Sequence, residues 1–460
     1  MSVMCWASEQ AGRRLPRTYI WATLVCMAGG CTGAARGDEG IDAWASWALA
    51  PKVWKGQTVQ APELEPRPEA DMLHLHSREL PLVLHVPLRS SQRRAAQTLQ
   101  ALERAYVSLN AAGWPLPPLD ADGGVDLFVV PRARCAGFAS CSGVDGPLTP
   151  SDFDAARSYA LLASDVPQGE LAACVYSALA QAGLRAVDPA ESASWVRASA
   201  ELAVWQQTAG PGCEDSLARG QAQPELGLLS ERPGTGDAGA LFLAVLSERT
   251  APELVRNLWD TTRQRSRGLV PEDRLRSSPD LWEVLRQTLD VGHIALDDEL
   301  IEGAVARYFA GPSARRAGAA YRVLAALPSD AAVPLAHDVS LRGGSLHLRE
   351  HAPLEPLGSA YSRVRLPASE STPERLQVWL RGELGARWSL TAVRLDRSGR
   401  ELGRTSAPAR NVPNSYLPVT LDPETAEVIL VVTQLPEQLP DADVRQTAEH
   451  GYELILESGP

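Results

Sequence analysis

The sequence predicts an α+β protein in which a mostly helical domain, fronted by a few strands, precedes a C-terminal antiparallel β-sandwich. Three observations carry this. Apolar residues recur at three- and four-residue steps over much of the stretch from 90 to 326. Short apolar runs at 81–86, 125–130 and 159–163 interrupt the first half of it and have the length of strands. Beyond about residue 331 the pattern changes to alternation, as in Leu376, Val378 and Leu380 and again in Tyr452, Leu454 and Leu456. A chain of 460 residues has room for two or three domains, and a composition 45% hydrophobic and 22% charged excludes a mainly disordered one. A net charge of −12 argues against a nucleic-acid partner, since such a binder presents a basic face.

At the N-terminus Arg13, Arg14 and Arg17 precede an apolar run at 19–28 and then Gly29, Gly30 and Cys31. The run is about half the ~20 residues a spanning helix needs. A basic flank, a short apolar core and small residues at its end describe an export signal. A Cys after Ala-Gly-Gly resembles a bacterial lipoprotein signal, so residues 1–31 are expected to be a signal peptide with lipidation at Cys31. The expected location is the cell envelope or outside the cell, with membrane contact through the lipid. Residues 32–75 read as a tether, rich in Pro and Glu (Pro62, Glu63, Glu65, Pro66, Pro68, Glu69), with a short helix at 41–48 carrying Trp44 and Trp47. The α+β domain is then expected over 76–328 and the sandwich over 331–460.

The elements follow in order. The run 81–86 reads as a buried strand. Ser90 or Ser91 can cap the next helix, whose apolar side is Ala95, Leu99, Leu102, Tyr106 and Leu109, and Gly113 ends it. Residues 125–130 and 159–163 supply two more strands. Helices are expected over 169–182, 190–207, 238–247, 252–262, 279–289, 297–309 and 313–326. Asp297, Asp298 and Glu299 open the sixth of these, where negative charge suits the helix dipole. In the last part, the β-branched run 428–432 and the turn signal Asp396-Arg397-Ser398-Gly399 fit a sandwich of about eight strands.

Seven cysteines divide into Cys5, Cys26 and Cys31 in the signal and Cys135, Cys141, Cys174 and Cys213 beyond it. An even number in an exported chain is the arithmetic of disulfides. Cys213 follows the helix after that of Cys174, and an antiparallel helix pair would bring the two together, leaving Cys135 with Cys141. A catalytic thiol at Cys174 would need a base, and no histidine lies between His85 and His293.

Other motifs are weaker. His347-Leu348-Arg349-Glu350-His351 has the letters of an inverted zinc-protease motif, which works only on a helix. Flanking Gly and Pro and the alternation of Leu346 and Leu348 indicate a strand, where the two imidazoles stand roughly 13 Å apart. Asp120, Asp122 and Asp126 with Gly123 and Gly124 look like a calcium loop but lack the acidic twelfth position, so a turn feeding a strand is expected. His74 and His76 alternate on an extended segment, and two ligands do not close a metal site.

Several stretches resemble one family. They are Ala101–Tyr106 in the first helix, Asp126–Val130, Gly239–Arg249 with Leu254–Trp259, Pro356–Tyr361 and Val428–Val432. Together, over roughly 80–460, the chain resembles exported bacterial zinc metallopeptidases of the HExxH (gluzincin-like) type, often lipoproteins. The resemblance implies a zinc helix followed by a helix with a Glu ligand shortly before a Trp. Matched residue by residue, Cys174 takes the first His, Val175 the catalytic Glu, Ala178 the second His and Ala200 the Glu ligand, with Trp205 as the Trp. Glu201 lies one position on, about 100° round the helix.

Catalytic zinc needs three protein ligands and a carboxylate base, and these residues supply neither. The expectation is therefore a pseudoenzyme without metal or cofactor. Its remnant cleft would be lined by Cys174, Tyr176, Ser177 and Glu201 and would bind a protein, peptide or carbohydrate. Two alternatives stand beside it: a hydrolase with a non-standard site, such as one using Cys174, and envelope binding of carbohydrate or protein through the β-sandwich.

Overall fold

The computed structural model describes residues 58–459 except 61–63, 65, 69–70, 122, 148–154, 209, 211, 229, 231, 233–236, 264–273, 277–278, 319–320, 328–330, 342–343, 350–351, 368–373, 411–413 and 437–447. Residues 1–31, expected to be an export signal with Cys31, the segment 41–48 expected to be helical, Asp122, Glu350 and His351 lie outside the described residues. The fold is mixed α+β, with antiparallel sheets in its C-terminal part. Among the described residues no helix is long and apolar enough to cross a membrane.

The chain begins with β1 (Thr58–Gln60), β2 (Met72–His76) and β3 (Leu82–Pro87), followed by α1 (Gln92–Ala112). The side chain of Ser91 accepts from the Arg94 N–H at the start of α1, and Gly113 closes the helix with φ +74. Then come β4 (Val125–Val130), β5 (Ser140–Pro147) and β6 (Ala156–Ala163). Strands β2 to β6 form one five-stranded sheet in the order β2-β3-β4-β6-β5, with β3, β4 and β6 parallel and both edges antiparallel. Its inner face (Leu82, Leu84, Val86, Leu127, Val129, Ala160, Leu162) joins the core that α1 and the next helices complete.

Six further helices build that core: α2 (Leu171–Val187), α3 (Ala193–Thr208), α4 (Ser216–Ala222), α5 (Ala238–Arg249), α6 (Leu254–Thr262) and, after the short β7 (Arg274–Arg276) that pairs with β1, α7 (Leu281–Val291). The eighth, α8 (Leu296–Tyr308), opens on the expected acidic turn. Helix α2 lies against the loop after α1. A Cβ at Gly183 would come within 2.1 Å of the Pro115 carbonyl oxygen, so the approach requires glycine.

The last part holds β8 (His337–Ser340), β9 (Ser345–Arg349), β10 (Ser359–Arg365), β11 (Arg375–Gly382), β12 (Arg387–Leu395), β13 (Glu401–Arg410), β14 (Asn414–Thr420), β15 (Glu427–Leu435) and β16 (Tyr452–Gly459). They form a five-stranded sheet, β13-β12-β15-β10-β8, and a four-stranded sheet, β14-β11-β16-β9. Leu376, Val378, Leu380, Leu390, Leu430 and Leu456 from the two sheets share one core. The other face of the five-stranded sheet, with Tyr361, Val393, Ile429 and Val431, belongs to the helical core. Burial on both faces is why 428–432 is continuously apolar.

Three expectations are corrected, and one strand is added. The tether ends earlier than residue 75: Met72–His76 is an edge strand, and Arg67 is fixed by ion pairs to residues 53, 59 and 78 positions away, which no local pattern reveals. The helix expected at 313–326 is two 3-10 turns, Gly311–Arg316 and Val323–Ala326, because Ala317 is extended and Gly318 follows. The edge strand β5 escaped notice since Gly143, Gly146 and Pro147 read as turn residues. The sandwich is not wholly antiparallel, because β8 runs parallel to β10.

Candidate functional site

Two features are candidates for a site: the polar cluster between α2 and α3, and the outward surface of the four-stranded sheet. In the cluster, Ser177 and Gln181 stand one helical turn apart on α2 and so share a face. Glu201 reaches that face from α3. The Ser177 hydroxyl donates to Glu201 Oε1 at 2.5 Å, and Gln181 Nε2 donates to Ser177 Oγ at 3.1 Å and to Ser140 Oγ of β5 at 3.2 Å. Glu201 Oε2 accepts from the Cys213 N–H at 2.9 Å and from the Ser216 hydroxyl at 2.8 Å. A Cβ at Gly212, whose φ is +88, would stand 2.4 Å from both Glu201 Oε2 and Ser216 Oγ, so the turn that closes on the carboxylate requires glycine.

A disulfide joins Cys174 on α2 to Cys213 on that turn, with Cα atoms 4.5 Å apart. A second joins Cys135 to Cys141 beside β5. The remaining space is a cavity of about 30 Å³, bordered by Phe138, Ser140, Gln181, Arg197, Glu201 and Asp237. Arg197 stacks over Phe138 and stands 3.7 Å from Asp237. Burial raises the Glu201 carboxyl to about 7, helped by the charge of Asp237, against the three donors that favour its ionised form. Burial likewise raises Asp237, offset by Arg197 and Arg219.

The residues singled out from sequence fall as follows. Ser177 and Glu201 meet. Tyr176 turns away, toward Ser108 of α1. Cys174 is buried in its disulfide, so it offers no thiolate for nucleophilic attack. Val175, Ala178 and Ala200 are core residues. Glu201, not Ala200, reaches the polar face of α2, where Ser177 and Gln181 stand, whereas Cys174 is in a disulfide and Ala178 in the core. Ser140, Gln181, Ser216 and Asp237 escaped the sequence reading. The four-residue spacing of Ser177 and Gln181 was the available signal.

The remaining motifs resolve structurally. Asp120 and Asp126, with Asp145, surround the Arg67 guanidinium. Asp126 also bonds His85 Nε2 at 2.8 Å, and His85 Nδ1 meets His74 Nδ1 at 2.7 Å. His76 is exposed at the same edge. His347 lies exposed on strand β9, 3.4 Å from Glu453. Among the described residues no group of three or more His, Cys, Asp or Glu is placed to hold a metal ion.

On the sandwich, one row of outward side chains crosses all four strands of the smaller sheet. Tyr416 pairs with Trp379, Trp379 with Ile455, and Ile455 with His347. The Tyr416 and Trp379 rings lie 5.3 Å apart, and Tyr416 is 49% exposed. Gln377 and Glu457 form the row on one side, and Asn414, Arg381, Glu453 and Arg349 the row on the other.

No family model and no curated protein matches the chain. Among solved structures, CorA, a surface-associated copper-binding protein important in Methylomicrobium album copper acquisition, aligns over 27% of this chain and 98% of its own at 12% identity, with a TM-score of 0.17. A β-glucosidase from Paenibacillus barengoltzii aligns over 37% of this chain and 17% of its own at 14% identity, with a TM-score of 0.14. At such scores neither likeness bears on the fold or chemistry of this protein.

Proposed function

We propose that the chain is an exported, lipid-anchored protein with a pseudo-metallopeptidase domain, and that it binds or scaffolds rather than catalyses. The observation that carries this reading is the geometry around Glu201. An HExxH helix presents two ligands four residues apart to an acid from the following helix. Here the positions matched to that motif are Cys174, Val175, Ala178 and Ala200, and the polar side chains that do meet between α2 and α3, Ser177, Gln181 and Glu201, are a hydroxyl, an amide and a carboxylate that bond to one another. The carboxylate is already engaged by three donors, and a disulfide fastens the turn over it. Neutral hydroxyl and amide oxygens are poor substitutes for two imidazoles on zinc. Metal analysis of the purified protein tests this, together with a peptidase assay with and without chelator. Substoichiometric zinc and no chelator-sensitive cleavage are expected; stoichiometric zinc with chelator-sensitive cleavage would sink the proposal.

The row Tyr416–Trp379–Ile455–His347 favours a second reading, binding of carbohydrate through the sandwich. Pyranose rings stack on aromatic faces, and the flanking amide and charged groups can hydrogen-bond their hydroxyls. Pull-down of the full chain on insoluble polysaccharides tests it. Retention that is lost in Trp379→Ala and Tyr416→Ala supports the reading, and equal retention of wild type and both variants rejects it.

A further inference from the structure

At one end of the five-stranded sheet, four segments remote in sequence border a cleft of about 430 Å³. Arg316 comes from the 3-10 turn Gly311–Arg316, Arg365 from the end of β10, Arg397 and Ser398 from the turn between β12 and β13, and Glu427 from the start of β15. Clefts of roughly 300–1,000 Å³ accept whole small organic molecules. This one is separate from the Glu201 cluster and from the Tyr416–Trp379 row, which lies on the other sheet.

Some of its charged groups are already spent. Asp396 builds the turn: its Oδ1 accepts from the Ser398 and Arg400 N–H groups at 2.8 and 2.9 Å and from the Ser398 hydroxyl at 2.6 Å, and its Oδ2 from Arg400 Nε at 3.1 Å. The bonds from Ser398 and Arg400 hold its carboxyl down at about 2, so it stays ionised and occupied. Arg365 donates to Asp338 at 2.7 Å. Three other groups are free. Arg316 and Arg397 are exposed, and neither donates to any described group. The head of Arg316 reaches over the turn, with Nη1 3.3 Å from where a Cβ on Gly399 would stand. Glu427 lies 3.8 Å from Arg365 Nε, too far for a hydrogen bond, and its carboxylate accepts from no described group. Guanidinium forks suit carboxylate and phosphate oxygens, and a carboxylate accepts from hydroxyls.

We propose that this cleft binds an acidic sugar of monosaccharide size, with Arg316 and Arg397 on its carboxylate or phosphate and Glu427 accepting from its hydroxyls. No aromatic ring lines the cleft, so charge and hydroxyl pattern select the ligand instead of ring stacking. The site stands independently of both readings of function above.

Calorimetric titration of the full chain with glucose 6-phosphate, glucuronate and glucose at equal ionic strength reads it. Saturable binding of at least one of the two anions is expected, and which of them binds tells phosphate from carboxylate. Glucose should bind at least about tenfold more weakly. Arg316→Gln and Arg397→Gln should each weaken the anion about tenfold, whereas Trp379→Ala should leave it unchanged. Both arginines are exposed, and an unchanged Tm checks that the variants fold. No saturable binding of either anion at millimolar concentration, equal affinity for glucose, an affinity untouched when both arginines are replaced, or one lost in Trp379→Ala overturns the site.

Discussion

Glu201 is held where ionisation is costly, and the direction of that cost fixes a pH dependence. Burial raises its carboxyl to about 7, and burial with the charge of Glu191 raises Asp188 to about 8. Both exceed the unfolded values, so between roughly pH 4 and pH 8 the folded chain holds protons that the unfolded chain has released. Their contribution is fully present at the acid end of that window and is lost as pH rises through 7 and 8. Urea midpoints for wild type are therefore expected to fall from about pH 5 to pH 8, and less steeply in Glu201→Gln. An equal slope in that variant would contradict the assignment. Glu201→Ala strands two hydroxyls and the Cys213 N–H without their acceptor and is expected to cost about 1–3 kcal/mol in urea denaturation. The sequence disclosed Glu201 as a candidate but not its direction, because one position on a helix is about 100°. The four cysteines were easier to read: their even number, in a chain expected to be exported, leaves few arrangements.

Disulfides and ion pairs anchor individual elements. The Cys174–Cys213 bridge closes a loop of sequence separation 39, whereas Cys135–Cys141 closes one of 6. Removing the longer bridge by a double Cys→Ser change should cost about 2–4 kcal/mol, and removing the shorter one less, as judged by guanidinium midpoints. Arg67 holds the segment before β2 by contacts with three carboxylates. Arg67→Ala leaves those charges uncompensated at a largely buried site and is expected to cost about 3–5 kcal/mol. Limited proteolysis should then cut ahead of Met72, and an unchanged cleavage pattern would refute the anchoring role. Periodicity revealed the elements that carry their own apolar face, such as α1 with Leu102 and Leu109. It missed β5 and the docked segment around Arg67, whose structure depends on partners remote in the chain.

Across the whole molecule the helical part and the sandwich share a core instead of meeting at a linker. Glu302 of α8 receives Arg404 of β13 through both oxygens, at 2.9 and 2.8 Å, and also the Tyr321 hydroxyl. Burial alone would raise the Glu302 carboxyl, but Arg404, Tyr321 and Arg249 hold it below its ordinary value. Calorimetry is expected to show one unfolding transition for the described body. Residues 331–460 produced alone would expose Tyr361, Val393, Ile429 and Val431 and should aggregate or bind hydrophobic dye. A monomeric, dye-silent fragment would argue against a shared core. Alternation in the sequence marked the strands, but only the structure reveals that one sheet is covered on both sides.

Strand β9 lies beside β16 rather than beside its neighbours in the chain, so that His347 meets Glu453 across a separation of 106 residues. Closing so long a loop is entropically unfavourable before any side chain packs, which delays the pairing relative to the β12–β13 hairpin. The four-stranded sheet, and with it the Tyr416–Trp379 platform, should thus be the slow phase of refolding. Until it forms, β11 and β16 each present an apolar face, so the yield of soluble protein should fall with concentration during refolding.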